Sequence, residues 1–142
     1  MTHIDPTADQ FAAFKDLPRD VPIEMLNLVR FNDLANYPGD HDLARDGLTG
    51  AQAYGLYGKE TGPILQKVGG SIVWRGGFET VLIGPGDEAW HAVFIARYPT
   101  AGAFLAMVTD PDYRRAVVHR QAAVKTSRLI RCTPADQGAS FG

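Results

Sequence analysis

Residues 23–134 predict a single α+β domain in which four antiparallel strands and two main helices follow one another as β-α-β-β-α-β. Three observations carry this. "IEMLNLVRF" (23–31) alternates as a strand, with Met25, Asn27, Val29 and Phe31 on one face and Leu26, Leu28 and Arg30 on the other. "TGAQAYGLYGKETGPILQKVGG" (49–70) repeats apolar side chains at helical spacing. Two β-rich stretches then precede a second helical region and a final short strand. This is the split-βαβ, ferredoxin-like order, an antiparallel four-stranded sheet with both helices on one face.

The elements follow in chain order. Residues 1–22 form an arm with one short helix, opened by a Thr7/Gln10 capping box and closed by the prolines of "LPRDVP". The first strand reads as covered on both faces, because both are largely apolar. "NDLANYPGDHDLARDG" (32–47) is an acidic, turn-rich loop. A second capping box, Thr49/Gln52, starts a helix whose Ala53, Tyr54, Tyr57, Thr61, Ile64, Leu65 and Val68 keep one face across Pro63, predicting one kinked helix stopped by Gly69. "SIVWRGGFETVLIG" (71–84) predicts a long strand bent or bulged at Gly76-Gly77, returning through "PGDE" into "WHAVFIARYP" (90–99). "TAGAFLAMVTD" predicts a helix that breaks at Asp110-Pro111, where Asp110 caps a new segment with Pro111 in its first turn. "TSRLIRC" (126–132) is the last strand, and residues 135–142 read as a loose tail.

With 142 residues, 45% hydrophobic and 21% charged, the chain has the composition of one globular domain. A formal charge of −2 excludes a general nucleic-acid footprint. Charge is uneven all the same: residues 1–46 hold nine of 16 acids, and Arg114–Arg131 holds six bases and no acid. Helical spacing scatters those bases around the axis, as expected of a solvated face with internal ion pairs. Cys132 is the single cysteine, so no intrachain disulfide forms. The polar N-terminus carries no secretory pattern and no apolar run is long enough to span a membrane, which points to the cytoplasm.

The helical run "DPDYRRAVVHR" (110–120) holds the best site residue. Tyr113 and Val117 share an apolar face, and Arg120 falls in its middle, whereas Arg114 and Arg115 point elsewhere. A guanidinium beside an apolar cleft either binds a carboxylate in two-pronged fashion or is held by an internal acid such as Glu79 or by strand-end carbonyls. His119, about 100° away on the flank, reads as a general base or as an interfacial or surface histidine with one backbone hydrogen bond. In the return strand His91, Val93, Ile95 and Arg97 alternate onto one side, forming a pocket wall for a small acidic or oxygenated ligand or a dimer seam. Asn27 needs a partner for its amide, from a ligand or from neighbouring backbone. Trp74, just before the Gly-Gly bend, is aimed into a cleft or is simply core. Asp40-His41-Asp42 is set aside as a metal site, since adjacent loop residues do not converge on one ion. There is no dinucleotide loop, nucleophile elbow or P-loop, and no cofactor is expected.

With helices on one face only, the second apolar sheet face predicts a homodimer that stacks the sheets. Further, "MLNLVRF", "AYGLYGKETGPIL", "WHAVFIARYPTAGAF" and "YRRAVVHRQAAV" resemble the family named domain of unknown function 1330, over about residues 8–134. That resemblance implies the dimeric α+β barrel superfamily and a pocket between sheet and helices, and it implies no reaction. The functional expectation is a small-molecule-binding protein acting on a small carboxylate- or carbonyl-bearing metabolite. An enzymatic version is a cofactor-independent isomerase or monooxygenase. Arg120 or Arg97 would anchor the ligand, His119 or His91 would move a proton, and Tyr113, Asn27 and Trp74 would shape the pocket. The alternative is a non-catalytic structural or protein-interaction homodimer.

Overall fold

The computed structural model describes residues 2–142. Its strands are β1 (Ile23–Phe31), β2 (Ser71–Gly76), β3 (Ala92–Tyr98) and β4 (Val124–Cys132), and its helices are α1 (Ala8–Asp16), α2 (Gly50–Lys67), α3 (Ala101–Val108) and α4 (Pro111–Ala123). The sheet order is β2-β3-β1-β4 with every pair antiparallel, the ferredoxin-like topology expected from the element order.

Local chemistry sets most boundaries. Thr49 and Gln52 form the full reciprocal box, with Gln52 N–H donating to the Thr49 hydroxyl (3.1 Å) and Thr49 N–H to Gln52 Oε1 (2.9 Å). α2 runs unbroken through Pro63. At α1 only half the box forms: Thr7 accepts from Gln10 N–H at 3.1 Å, but the glutamine amide turns to the Thr7 hydroxyl and not to its backbone. Asp110 caps α4 by accepting from Asp112 N–H at 2.8 Å, with Pro111 in the first turn. β4 follows α4 without a connecting residue and begins at Val124, two residues before the expected Thr126.

β2 is much shorter than its sequence pattern. It ends at Gly76, not at Gly84, and its register shift lies between Ile72 and Trp74 rather than at Gly76-Gly77. The reason is lack of a partner: β3 begins only at Ala92, and its pairing with β2 ends at Gly76–Val93. The alternating "FETVLI" that follows has no strand beside it, and Leu82 and Ile83 stand 91% and 92% exposed in the loop.

Residues opposite one another across the ladders share a face. Toward the helices β1 presents Ile23, Met25, Asn27 and Val29, opposite Tyr98, Ala96, Phe94 and Ala92 of β3. The far face carries Leu26, Leu28, Val93, Ile95 and Ile130. Beneath the helices the core divides into two lobes. One gathers Ile23, Met25, Ile64, Tyr98, Phe104 and Met107, and the other Val29, Tyr37, Ala53, Ala123 and Val124. Asn27 sits on β1 between the residues given to each lobe, and there the layers leave a cavity.

Candidate functional site

The cavity between sheet and helices measures about 1650 Å³. Its floor includes Met25, Asn27 and Phe94, its walls Tyr54, Tyr57 and Thr61 of α2 and Tyr113, Val117 and Arg120 of α4. The N-terminal arm covers it, through residues 3–8 and Phe11 and Phe14 of α1. Helical spacing aims the walls. Tyr113, Val117 and Arg120 are related by four and three residues, and Tyr54, Tyr57 and Thr61 by three and four, so each set shares one face. Gly55, Gly58 and Gly62 also border the cavity, and a Cβ built at any of them meets nothing within 4 Å. Glycines inside a helix cost about 1 kcal/mol each relative to alanine. Here they keep the space between the tyrosines open.

The aromatic wall is continuous. His91 stacks on Phe31 (5.2 Å between centroids), Phe31 meets Tyr54 (5.0 Å), Tyr54 meets Tyr57 (5.4 Å), and Tyr57 meets Tyr113 edge-on (6.1 Å). The Tyr57 and Tyr113 hydroxyls are hydrogen-bonded at 2.9 Å. Burial pushes the Tyr54 phenol up to about 12, against the opposing pull of the Arg120 guanidinium. Burial likewise raises Tyr57 well above its ordinary value, with the neighbouring Tyr113 adding to the shift. At neutral pH both phenols therefore keep their protons and act as hydrogen-bond donors, not bases.

Arg120 is half-buried at the cavity wall, on the inner face of α4 as its spacing predicts. Its partners are not carboxylates. One terminal nitrogen donates to the Ile4 carbonyl (2.5 Å) and the other to the Ser127 hydroxyl (3.2 Å), which in turn donates to the His3 carbonyl (2.7 Å). The internal acid expected for it, Glu79, is not among its contacts. Arg114 and Arg115 are exposed, and Arg115 pairs with Asp112 one turn away. Among the described residues, four arginines (75, 114, 120 and 131) border the cavity on the helix side of the sheet against one carboxylate, Asp5. That imbalance gives the cavity lining an excess of positive charge.

The other expected site residues divide. Tyr113 and Asn27 line the cavity, and the Asn27 amide is satisfied by the Met25 carbonyl on its own strand (3.0 Å). His91 also borders it, having left the Val93–Ile95–Arg97 face on which alternation placed it, because β3 begins one residue later. Its Nδ1 accepts from Phe31 N–H (2.9 Å), so the neutral ring carries its proton on Nε2 and can donate it to a ligand. Arg97 and Trp74 lie on the far face of the sheet, away from the cavity, and Trp74 is 50% exposed. His119 is outside the cavity as well, and it is neither a surface residue nor a backbone donor. It is 9% exposed, with Nδ1 2.6 Å from the Tyr37 hydroxyl and Nε2 2.5 Å from the Glu60 carboxylate. In the neutral ring Nε2–H donates to Glu60 and Nδ1 accepts from Tyr37, which ties the 32–47 loop to α2 and α4. His41 stacks on Tyr37 at 4.6 Å and meets His119 edge-on at 6.0 Å.

Sequence reasoning passed over Tyr54, Tyr57 and the arm as site elements. The two tyrosines were visible on the apolar face of α2, where phenols look the same as core. The arm showed no periodicity that would place it anywhere. Among the described residues no three metal-ligating side chains converge, and no helix is long and apolar enough to cross a membrane.

Fold and site define an α+β ferredoxin-like protein with a cationic, aromatic cavity beneath its helices. The chain belongs to the family described as domain of unknown function, DUF1330, whose model matches residues 44–131. The match begins after β1 and so is narrower than the span of residue-level resemblance. A crystal structure of a protein of unknown function from Rhodopseudomonas palustris is 52% identical, covers 96% of this chain and 100% of its own, and superposes with a TM-score of 0.88. A protein from Bacteroides thetaiotaomicron assigned as an antibiotic biosynthesis monooxygenase is 11% identical with a TM-score of 0.52, covering 86% of this chain and 97% of its own, a likeness of fold alone. A dimeric ferredoxin-like protein of unknown function from Bacteroides fragilis is 10% identical with a TM-score of 0.46, covering 79% of this chain and 95% of its own. No curated protein matches the chain.

Proposed function

We propose that the protein is a cytoplasmic homodimer that binds a small organic acid with an apolar or aromatic body in the cavity beneath its helices. The observation that carries this is Arg120 set in an aromatic wall whose one bordering carboxylate, among the described residues, is Asp5. A guanidinium suits a carboxylate, the phenols and His91 Nε2–H suit its oxygens or a carbonyl, and the ring ladder suits a planar body. Binding is favoured over proton transfer, because Tyr54 and Tyr57 stay protonated and the Nδ1 of His91 is already engaged. The test is calorimetric titration with 2-naphthoate and with its neutral amide, 2-naphthamide. The acid is expected to bind at least about tenfold tighter, equivalent to about 1.4 kcal/mol, and to weaken with salt. Equal affinity for acid and amide contradicts the reading.

The dimer rests on the far sheet face. Leu26, Leu28, Val93 and Ile95 are only half-buried, Ile130 is 46% exposed, and every packed helix is on the other side. A contiguous apolar sheet surface of this kind is normally covered. Sedimentation at micromolar concentration is expected to give twice the 15.4 kDa chain mass, and Ile95→Lys with Ile130→Lys to give the single-chain mass. A wild-type monomer contradicts the dimer without touching the cavity.

A further inference from the structure

The arm over the cavity is fastened to the cation that the proposed ligand needs. Arg120 commits both terminal nitrogens, one to the Ile4 carbonyl and one to Ser127, whose hydroxyl holds the His3 carbonyl. Next to it, Gln121 Nε2 reaches the Asp5 carboxylate at 3.3 and 3.4 Å. Three successive arm residues are thus latched by α4 and β4, and the end-on edge of the guanidinium, which a carboxylate would grip with two parallel hydrogen bonds, is filled by the Ile4 carbonyl and the Ser127 hydroxyl. What else holds residues 3–5 is slight, since the Ile4 side chain is only partly buried against the core lobe around Val29 and Tyr37. The helix that follows is fastened separately, by Phe14 against Phe104 and by Arg131, which donates to the Phe14 and Pro18 carbonyls. The arm also precedes the span that the family model matches.

We infer that residues 3–5 act as an internal competitor: the Ile4 carbonyl occupies the anion position of Arg120, and an acidic ligand binds by displacing the arm. This rests on the reading of the cavity as an acid-binding site. Competition is reciprocal. A ligand that takes Arg120 must loosen the arm, and a loosened arm must raise the affinity for the ligand. The latch is a carbonyl, whose partial charge a carboxylate exceeds, so an acid displaces it where a neutral amide of the same shape does not.

The experiment is hydrogen–deuterium exchange of the N-terminal peptide in the full-length protein, with and without 2-naphthoate, alongside calorimetric affinities. Ile4→Ala and, separately, Gln121→Ala loosen the arm without altering charge. Gln121 is exposed, so Gln121→Ala is expected to stay folded even where Ile4→Ala, which trims a side chain packed on the core, does not. Saturating 2-naphthoate is expected to speed exchange across residues 3–7 about tenfold or more, and each variant to bind the acid about three- to tenfold tighter than wild type, as release of an occupied competitor requires. If 2-naphthoate binds wild type but exchange of the arm is unchanged or slowed, and the variants bind no tighter, the arm is a passive cover and the inference fails alone. If neither wild type nor variants bind the acid, the cavity reading and the inference fail together.

Discussion

Gly50→Ala is expected to destabilise the fold by about 3 kcal/mol or more, as a steric overlap that cannot relax. Gly50 opens α2 where the chain returns from the 32–47 loop. A Cβ there would overlap the Asn32 carbonyl oxygen and stand 2.9 Å from that of Ala123. Neither carbonyl can retreat. Asn32 N–H donates to the Ala123 carbonyl at 2.8 Å, and the Asn32 amide reaches the Ala122 carbonyl at 3.1 Å, locking the end of β1 to the α4–β4 junction. Helix propensity argues the other way, since alanine is favoured over glycine by about 1 kcal/mol. Gly55→Ala supplies the control. It lies in the same helix with nothing within 4 Å of its added methyl, and is expected to be neutral or stabilising by up to about 1 kcal/mol. Urea unfolding of both variants decides it, and a loss below about 1 kcal/mol for Gly50→Ala contradicts the packing described.

Arg120→Met is expected to remove the preference for acids while leaving the fold intact. Affinity for 2-naphthoate should fall at least about tenfold, to near that of 2-naphthamide, because the anchoring charge is lost and the apolar stem kept. The cost in stability should be about 2 kcal/mol, the value of charge-assisted hydrogen bonds to neutral acceptors at a half-exposed guanidinium, and so a shift of several degrees in Tm. A buried ion pair would behave differently, stranding its partner charge at about 3–5 kcal/mol. No carboxylate contacts Arg120, and no such loss is expected. A collapse of Tm with the acid preference intact would show that the guanidinium serves the fold and not the ligand.

The fold was legible wherever local chemistry decides it. β1, the capped start of α2, the Asp110-Pro111 break and the inward face of α4 all follow from periodicity and caps within a few residues. β2 was not legible, because "FETVLI" alternates correctly yet has no neighbour to pair with, and pairing is a tertiary fact. Alternation also separates the two sheet faces without saying which one the helices cover, and this is why Arg97 and Trp74 were grouped with residues of the cavity. His119 shows the same limit. Its place on the flank of α4 was readable, but its partners come from the loop at Tyr37 and from α2 at Glu60. Arg120 was readable as an inward charge, and its partner was not, since Ile4 lies 116 residues away on an arm without periodicity.

The most direct measurement is a crystal structure of the full-length protein grown with saturating 2-naphthoate. The account predicts the carboxylate within hydrogen-bond distance of the Arg120 guanidinium, with the ring system against Tyr54, Tyr57 and Tyr113 and the Ile4 carbonyl no longer on Arg120. An acid bound elsewhere, or an empty cavity with Arg120 still held by Ile4 at saturating ligand, would contradict it.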